Sequence, residues 1–199
     1  SGTNRSIGGQ QWPDPPEVVT SGESFVVFND HRFDYFEHDG GAGILHPVLS
    51  EDSGEPIVDI AIAMDSTGQN HLAMLFGNQL KLIDTQDGST ETLLLETNSS
   101  VVASSGPLIA ISELSEFGPL VNITSIESDL IITIPLDPSS SERTDQSIAN
   151  SGVVLDFHNS SVVELVMDAN WLVATVDVGP FNRTILVDTI SINQTHISN

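Results

Sequence analysis

Residues 25–41 read FVVFNDHRFDYFEHDGG, and residues 72–88 read LAMLFGNQLKLIDTQDG. Each is an apolar run of strand length, a short turn, a second alternating run and then an Asp-Gly pair. Runs of four to eight β-formers bounded by Gly, Asp and Asn are the signature of an antiparallel hairpin. The two stretches are offset by 47 residues, 72 minus 25, so the hairpin recurs as an internal repeat. WLVATVDVGPFNRTILVDT, from Trp171, repeats the theme with a longer turn. The preceding segments echo as well, VDIAIAMDSTGQ before the second unit and VVELVMDAN before the third, and a weaker copy surrounds DLIITIPLD from Asp129.

Working outward, similar runs fill most of the chain. They are Ile44–Leu49, Ile57–Met64, Thr90–Leu95, Leu120–Ile126, Leu130–Ile134, Val153–Phe157, Val162–Met167 and Thr184–Ile192. No segment of useful length has a helical period, and Ser112–Phe117 and Ser141–Ala149 are the only short helix candidates. The fold class is therefore all-β, built of repeated antiparallel hairpins. The period and strand order resemble the blades of a β-propeller of the WD-repeat kind over residues 24–100 and 160–192. No Gly-His or Trp-Asp dipeptide marks the blades, and residues 100–160 depart from the pattern. A β-sandwich of two antiparallel sheets predicts much the same succession of strands and is the alternative.

Residues 1–22 are rich in Gly, Pro and polar groups, with Pro13, Pro15 and Pro16 withholding backbone donors. They read as an extended arm or linker, with residues 23–199 a single all-β domain. Trp12 is the arm's one large apolar group and the candidate anchor at an interface with another subunit. The chain starts with Ser1 and not Met, which points to a processed or excised product.

Charge excludes several functions. There are 28 acidic side chains against 5 basic ones, a net charge of −23, and Lys81 is the only lysine. Nucleic-acid binding is excluded because no basic patch exists to displace counterions from phosphates. Anionic membranes are equally unfavourable, and no apolar run approaches the roughly 18 residues of a membrane span. A lysine-poor acidic surface resembles proteins of halophilic archaea or their viruses. The absence of Cys removes disulfides and thiolate metal sites, and leans towards a prokaryotic or viral surface protein.

Asn-x-Ser/Thr motifs begin at Asn4, Asn98, Asn122, Asn159, Asn182 and Asn193. With 12 Asn, and Ser plus Thr at 39 of 199 positions, chance gives roughly two or three such motifs. The excess points to N-glycosylation, hence covalent glycans and an extracellular or cell- or virion-surface location. Asn122 lies inside an apolar stretch and is the exception.

Motifs for catalysis are missing. There is no H-E-x-x-H pair, no G-x-S-x-G elbow and no phosphate loop, since Gly40–Gly43 is followed by strand-like residues. His31, His38 and His46 lie near Asp30, Asp34, Glu37 and Asp39, but alternation splits the set, with His31 and Glu37 on one face and Asp34 on the other. Asp84–Ser89 lacks the third oxygen ligand and the closing Glu of a calcium loop, so turn chemistry explains it better. No cofactor is expected, although abundant carboxylates admit a surface Ca²⁺ ion. Asp156, Asp177 and Asp188 interrupt or end apolar strands, and Trp171 reads as core. The expected function is a non-enzymatic structural or interaction protein, partnered by copies of itself or other surface proteins. The alternatives are a carbohydrate-binding or adhesion module, which needs exposed aromatics, and a propeller-type glycoside hydrolase, which needs acids converging on a central pore.

Overall fold

The computed structural model describes Trp12 and residues 15–38, 47–116, 118–136, 160–168, 171–177 and 182–188. Fifteen strands and no helix occur among them. The first sheet comprises β1 (Glu17–Ser21), β2 (Ser24–Phe28), β3 (Arg32–Glu37) and β4 (Leu49–Asp52). The second comprises β5 (Asp59–Met64), β6 (Asn70–Phe76), β7 (Gln79–Asp84) and β8 (Thr90–Leu94). The third comprises β9 (Val102–Ser105), β10 (Leu108–Ser115), β11 (Gly118–Ser125) and β12 (Ser128–Pro135), and the fourth β13 (Ser161–Asp168), β14 (Trp171–Asp177) and β15 (Asn182–Asp188). Every sheet is an antiparallel meander in chain order. Tight turns make this possible: Gly77, between β6 and β7, holds φ +59°, which a side chain resists.

The sheets follow one another around an axis. β1 contacts β5, β5 contacts β9 and β9 contacts β13, so the first strand of each sheet is the innermost. No comparable contact joins β13 back to β1. Each sheet therefore has a forward face towards the next sheet and a rear face towards the previous one. Three apolar clusters fill the gaps. Val26, Phe28, Phe33 and Tyr35 on the forward face of the first sheet meet Ile60, Ile62, Leu72 and Met74. Ala61, Ala73, Leu75 and Leu80 of the second meet Val102, Ile109 and Ile111. Ala103, Ala110, Val121 and Ile123 of the third meet Val162, Leu165, Leu172 and Ala174.

The 47-residue repeat is this architecture. Adding 47 to Val26, Phe28, Phe33 and Tyr35 gives Ala73, Leu75, Leu80 and Leu82, all of which face the next gap. The third unit carries a correction. Leu172, and not Trp171, occupies the place of Leu72, because Leu172 is fully buried in the third cluster. A one-residue slip reverses the face of every side chain, so Trp171 points forward and is 39% exposed instead of lying in the core.

Other expectations change as well. Glu17–Ser21, within the expected arm, pairs with β2 along its whole length as the innermost strand of the first sheet. Ser112–Ser115, four of the six residues of the first helix candidate, is strand, because Ile109 and Ile111 alternate with Ala110 and Ser112 across β10. DLIITIPLD falls on the outermost strand of the third sheet, so the true third-sheet equivalent of Leu72–Gly88 begins in β10. Of the run at Ile44–Leu49, Leu49 begins β4 (Leu49–Asp52), and residues 44–46 lie outside the described residues. Residues 1–11, Ser141–Ala149 and Val153–Phe157 lie outside the described residues.

Candidate functional site

The four innermost strands surround a cavity of about 490 Å³. β1 and β13 face each other across it, with β5 and β9 between them. Its acidic members are Glu17, Asp59 and Glu164, beside Ser100 and Ser104. Among the described residues, Asp177 is not one of the acids that line the pore. Asp177 and Asp188 end β14 and β15 at opposite ends of the fourth sheet, and Asp156 lies outside the described residues.

Asp59 begins β5, and its carboxylate spans two sheets. Oδ1 accepts the Ile60 backbone N–H at 2.9 Å, and Oδ2 accepts that of Val102 at 2.9 Å. Burial pushes its pKa up, against the lowering effect of the two amides, and the nearby Glu17 charge pushes the same way as burial. This geometry makes Asp59 a clamp between second and third sheets. Ser104 and Ser100 continue the stitching by donating to the Ile62 carbonyl at 2.6 Å and the Val162 carbonyl at 2.9 Å. Glu164 accepts from the Thr175 hydroxyl at 3.3 Å on the forward face of the fourth sheet. None of these contacts was legible beforehand, since β1 and β9 were not expected as strands.

The second feature is that forward face itself. The register aligns Val166 with Val173 and Asp168 with Trp171 across β13 and β14. Val166 is 52% exposed, and an irregularity between Val162 and Glu164 places the exposed Val163 at the cavity wall. In the other three sheets the same face is buried against a neighbour.

The rear face of the first sheet differs. Val27, Asp34 and Phe36 are buried there, and Phe25 stacks on Phe36 at 4.7 Å. Arg32 bonds Asp34 at 3.0 Å and lies 5.5 Å from the ring of Trp12. Trp12 thus sits on its own first sheet. Val18, on the same face at the axis, remains 58% exposed.

Among the described residues the histidine set does not assemble. His31 lies in the β2–β3 turn and His38 beyond the far end of β3, while Asp34 is held by Arg32; His46 and Asp39 are outside the described residues. No group of three His, Asp or Glu suited to a metal ion occurs among the described residues. Asp84–Ser89 is a turn: the Asp84 carboxylate accepts the Gln86 amide at 2.7 Å, and Gly88 holds φ +73°. Of the glycosylation motifs, Asn98 is exposed between β8 and β9. Asn122 sits mid-strand in β11, donating to Glu113 at 2.6 Å and accepting from Thr133 at 2.6 Å. Asn182 begins β15, and Asn4, Asn159 and Asn193 are outside the described residues.

Comparison with known proteins identifies the fold. No family model matches the chain, and no curated protein does. Among solved structures it is similar to the WD40 domain of Neurospora crassa Pan2, with 12% identity, a TM-score of 0.52, and 88% of this chain and 48% of that one covered. It is also similar to the β-propeller domain of Cps50 (Swd1) from Myceliophteria thermophila, at 15% identity, TM-score 0.49, and 88% and 55% coverage. The N-terminal domain of Nup159 follows at 8% identity, TM-score 0.48, and 86% and 43% coverage. The chain is an all-β protein of β-propeller type, each sheet a blade. It spans about half the length of the propeller structures it matches.

Proposed function

We propose that this chain is a non-enzymatic structural or interaction protein of a cell surface, appendage or virion, N-glycosylated and suited to high salt. One observation carries the interaction role: Val166 and Trp171 stand exposed on the forward face of β13 and β14, on a protein of net charge −23. Isolated exposed apolar side chains need no explanation, but a row of them on one sheet face marks a contact surface. The acidic remainder suits an exterior at high ionic strength, where the Debye length of about 3 Å at 1 M screens self-repulsion. Its partners are copies of itself or other surface proteins, and glycans are carried at exposed motifs such as Asn98. Protease shaving of intact source cells or particles, followed by glycopeptide mass spectrometry, tests the location. Release of peptides bearing glycan at Asn98 supports it; an intracellular, unmodified chain refutes it.

The exposure of Trp171 favours one second reading, a carbohydrate-binding or adhesion module. An aromatic face beside Asp168 has the make-up of a sugar-stacking surface. Binding on a glycan array that Trp171→Ala abolishes would select it over protein contact.

A further inference from the structure

We propose that Asn98 accepts its glycan only before the fourth blade docks on the third, so that docking of that blade closes the site to modification. The proposal deepens the glycosylation reading and rests on it.

The motif is Asn98-Ser99-Ser100, on the crossing from β8 to β9. Its three residues have different surroundings. Asn98 is exposed, whereas Ser99 is buried. The Ser99 N–H donates to the Gly77 carbonyl of the second blade at 2.7 Å, and its hydroxyl donates to the Ser112 carbonyl of the third. The backbone amides of Ser100 and Val101 both donate to the Ser112 hydroxyl, at 3.3 and 3.0 Å. The Ser100 hydroxyl donates to the Val162 carbonyl of the fourth blade at 2.9 Å, in the wall of the cavity. Second, third and fourth blades thus each hold a part of the same short segment.

Glycan transfer needs what these contacts occupy. The reaction joins Asn98 Nδ2 to the anomeric carbon of a sugar carried on a lipid-linked phosphate. The bond from that carbon to the phosphate oxygen breaks, the lipid phosphate leaves with the electron pair, and the proton lost from Nδ2 balances it. The acceptor motif is defined by a hydroxyl two residues beyond the Asn, so the transferase must hold that hydroxyl as well as the carboxamide. A serine hydroxyl has one proton to donate, and here Val162 receives it. Ser100 also lines a cavity of about 490 Å³, too small to admit a transferase, while Asn98 stands outside that wall. The folded chain therefore presents the acceptor nitrogen without the hydroxyl that recognition requires.

Chain order supplies the earlier opportunity. β13 begins at Ser161, 61 residues after Ser100, 161 minus 100. At about 5–20 residues per second of synthesis, those residues take about 3–12 s to follow. Until β13 reaches β9, the Ser100 hydroxyl has no Val162 carbonyl to bond. Afterwards modification needs the fourth blade to open, and its rate follows the fraction open.

Order of addition tests this. The full chain is unfolded in urea and refolded by dilution. Detergent-permeabilised microsomes holding an N-oligosaccharyltransferase and its dolichol-linked oligosaccharide are either present at dilution or added after refolding, at the same final urea concentration. Glycopeptide mass spectrometry reads Asn98 occupancy, and circular dichroism reads refolding. Occupancy should be at least about tenfold lower when refolding comes first. Leu172→Ala and the milder Val176→Ala each trim a fully buried side chain in the gap between third and fourth blades. Each should raise the occupancy of the refolded chain several-fold, while Val48→Ala, at an exposed position beside β4, should leave it unchanged. Equal occupancy in the two orders overturns the proposal and leaves the glycosylation reading standing. Low occupancy after refolding that neither gap variant raises overturns it too, because something other than the fourth blade then closes the site. An Asn98 left bare in both orders, while a short acceptor peptide in the same microsomes is modified, rejects the glycosylation reading at Asn98 itself.

Discussion

Leu80 and Phe33 occupy the same place in successive blades, and removing either side chain should damage a different gap. Leu80 is fully buried between second and third blades. Replacing Leu by Ala in a core costs about 2–5 kcal/mol, depending on how far the neighbours collapse into the space. Here the second blade contributes Ala61, Ala63 and Ala73 to the same cluster, and such side chains have little reach. Leu80→Ala should therefore fall in the upper part of that range, about 3–5 kcal/mol. For a chain of this size, about 2–4 °C per kcal/mol translates this into a melting point lower by roughly 6–20 °C. Phe33→Ala, in the gap between first and second blades, should cost about 3–5 kcal/mol. Leu94→Ala is the control: Leu94 is 73% exposed on the outermost strand of the second blade, and its loss should stay within about 0.5 kcal/mol. Urea is the denaturant of choice, because guanidinium chloride is a salt and would screen the −23 charge as it denatures. A Leu80→Ala cost below about 1 kcal/mol, or one no larger than that of Leu94→Ala, would refute the placement of this residue between blades.

Other outcomes follow from charge and hydrogen bonding. The wild-type melting temperature should rise between about 0.1 M and about 2 M KCl as repulsion is screened; a flat or falling curve in thermal scans removes the high-salt reading. The raised Asp59 pKa means that its ionised form is disfavoured in the folded state. Its contribution is thus fully present below the ordinary carboxylate value of 3.8 and declines as pH rises through the raised one. Asp59→Asn, which cannot ionise, should destabilise more at low pH than near neutrality, and urea midpoints across that range would show a pH-independent difference if the clamp were absent. Asp59→Ala strands the Val102 amide and should cost about 1–3 kcal/mol by the same measurement. In glycopeptide mass spectrometry Asn98 should carry glycan and Asn122 should not, since modifying Asn122 breaks its bond to Glu113; modified Asn122 in folded protein contradicts the register of β11.

The second and third strands of the first two blades were legible in the sequence because their alternation is unbroken and their turns carry Gly and Asp. Phe25–Phe36 and Leu72–Ile83 announce themselves for that reason. β1 was hidden by the prolines before it and by its own composition: EVVTS is short and polar at both ends, and its support comes from pairing with β2. β9 is VASS, four residues with only Val of high strand propensity. Both are innermost strands, and both line the cavity. The candidate site was consequently the least visible part, since the residues that build it are chosen by contact between blades and not by local pattern. Trp171 shows the same limit from another side. An apolar strand with one residue of slack in its alignment has two possible faces, and only the partner across the gap decides which is core.

The outer rim explains how so many exposed strands avoid pairing at random. β4 is four residues, LSED, with Ser50, Glu51 and Asp52 exposed, and β8 places exposed Thr90, Glu91 and Thr92 along its edge. Short acidic edge strands repel a second edge laid beside them, a protection that neighbouring sheets cannot supply at the rim. The inner edges need no such charge, because Asp59, Ser100 and Ser104 tie adjacent blades to one another through backbone groups. The forward face of the fourth blade is treated differently from the rim. There Glu164 is turned onto Thr175 while Val163, Val166 and Trp171 are left to solvent. Asp168, paired with Trp171 across β13 and β14, is exposed on the same face. This grouping of exposed apolar side chains supports the interaction role proposed above and distinguishes the face from the acidic edges of β4 and β8.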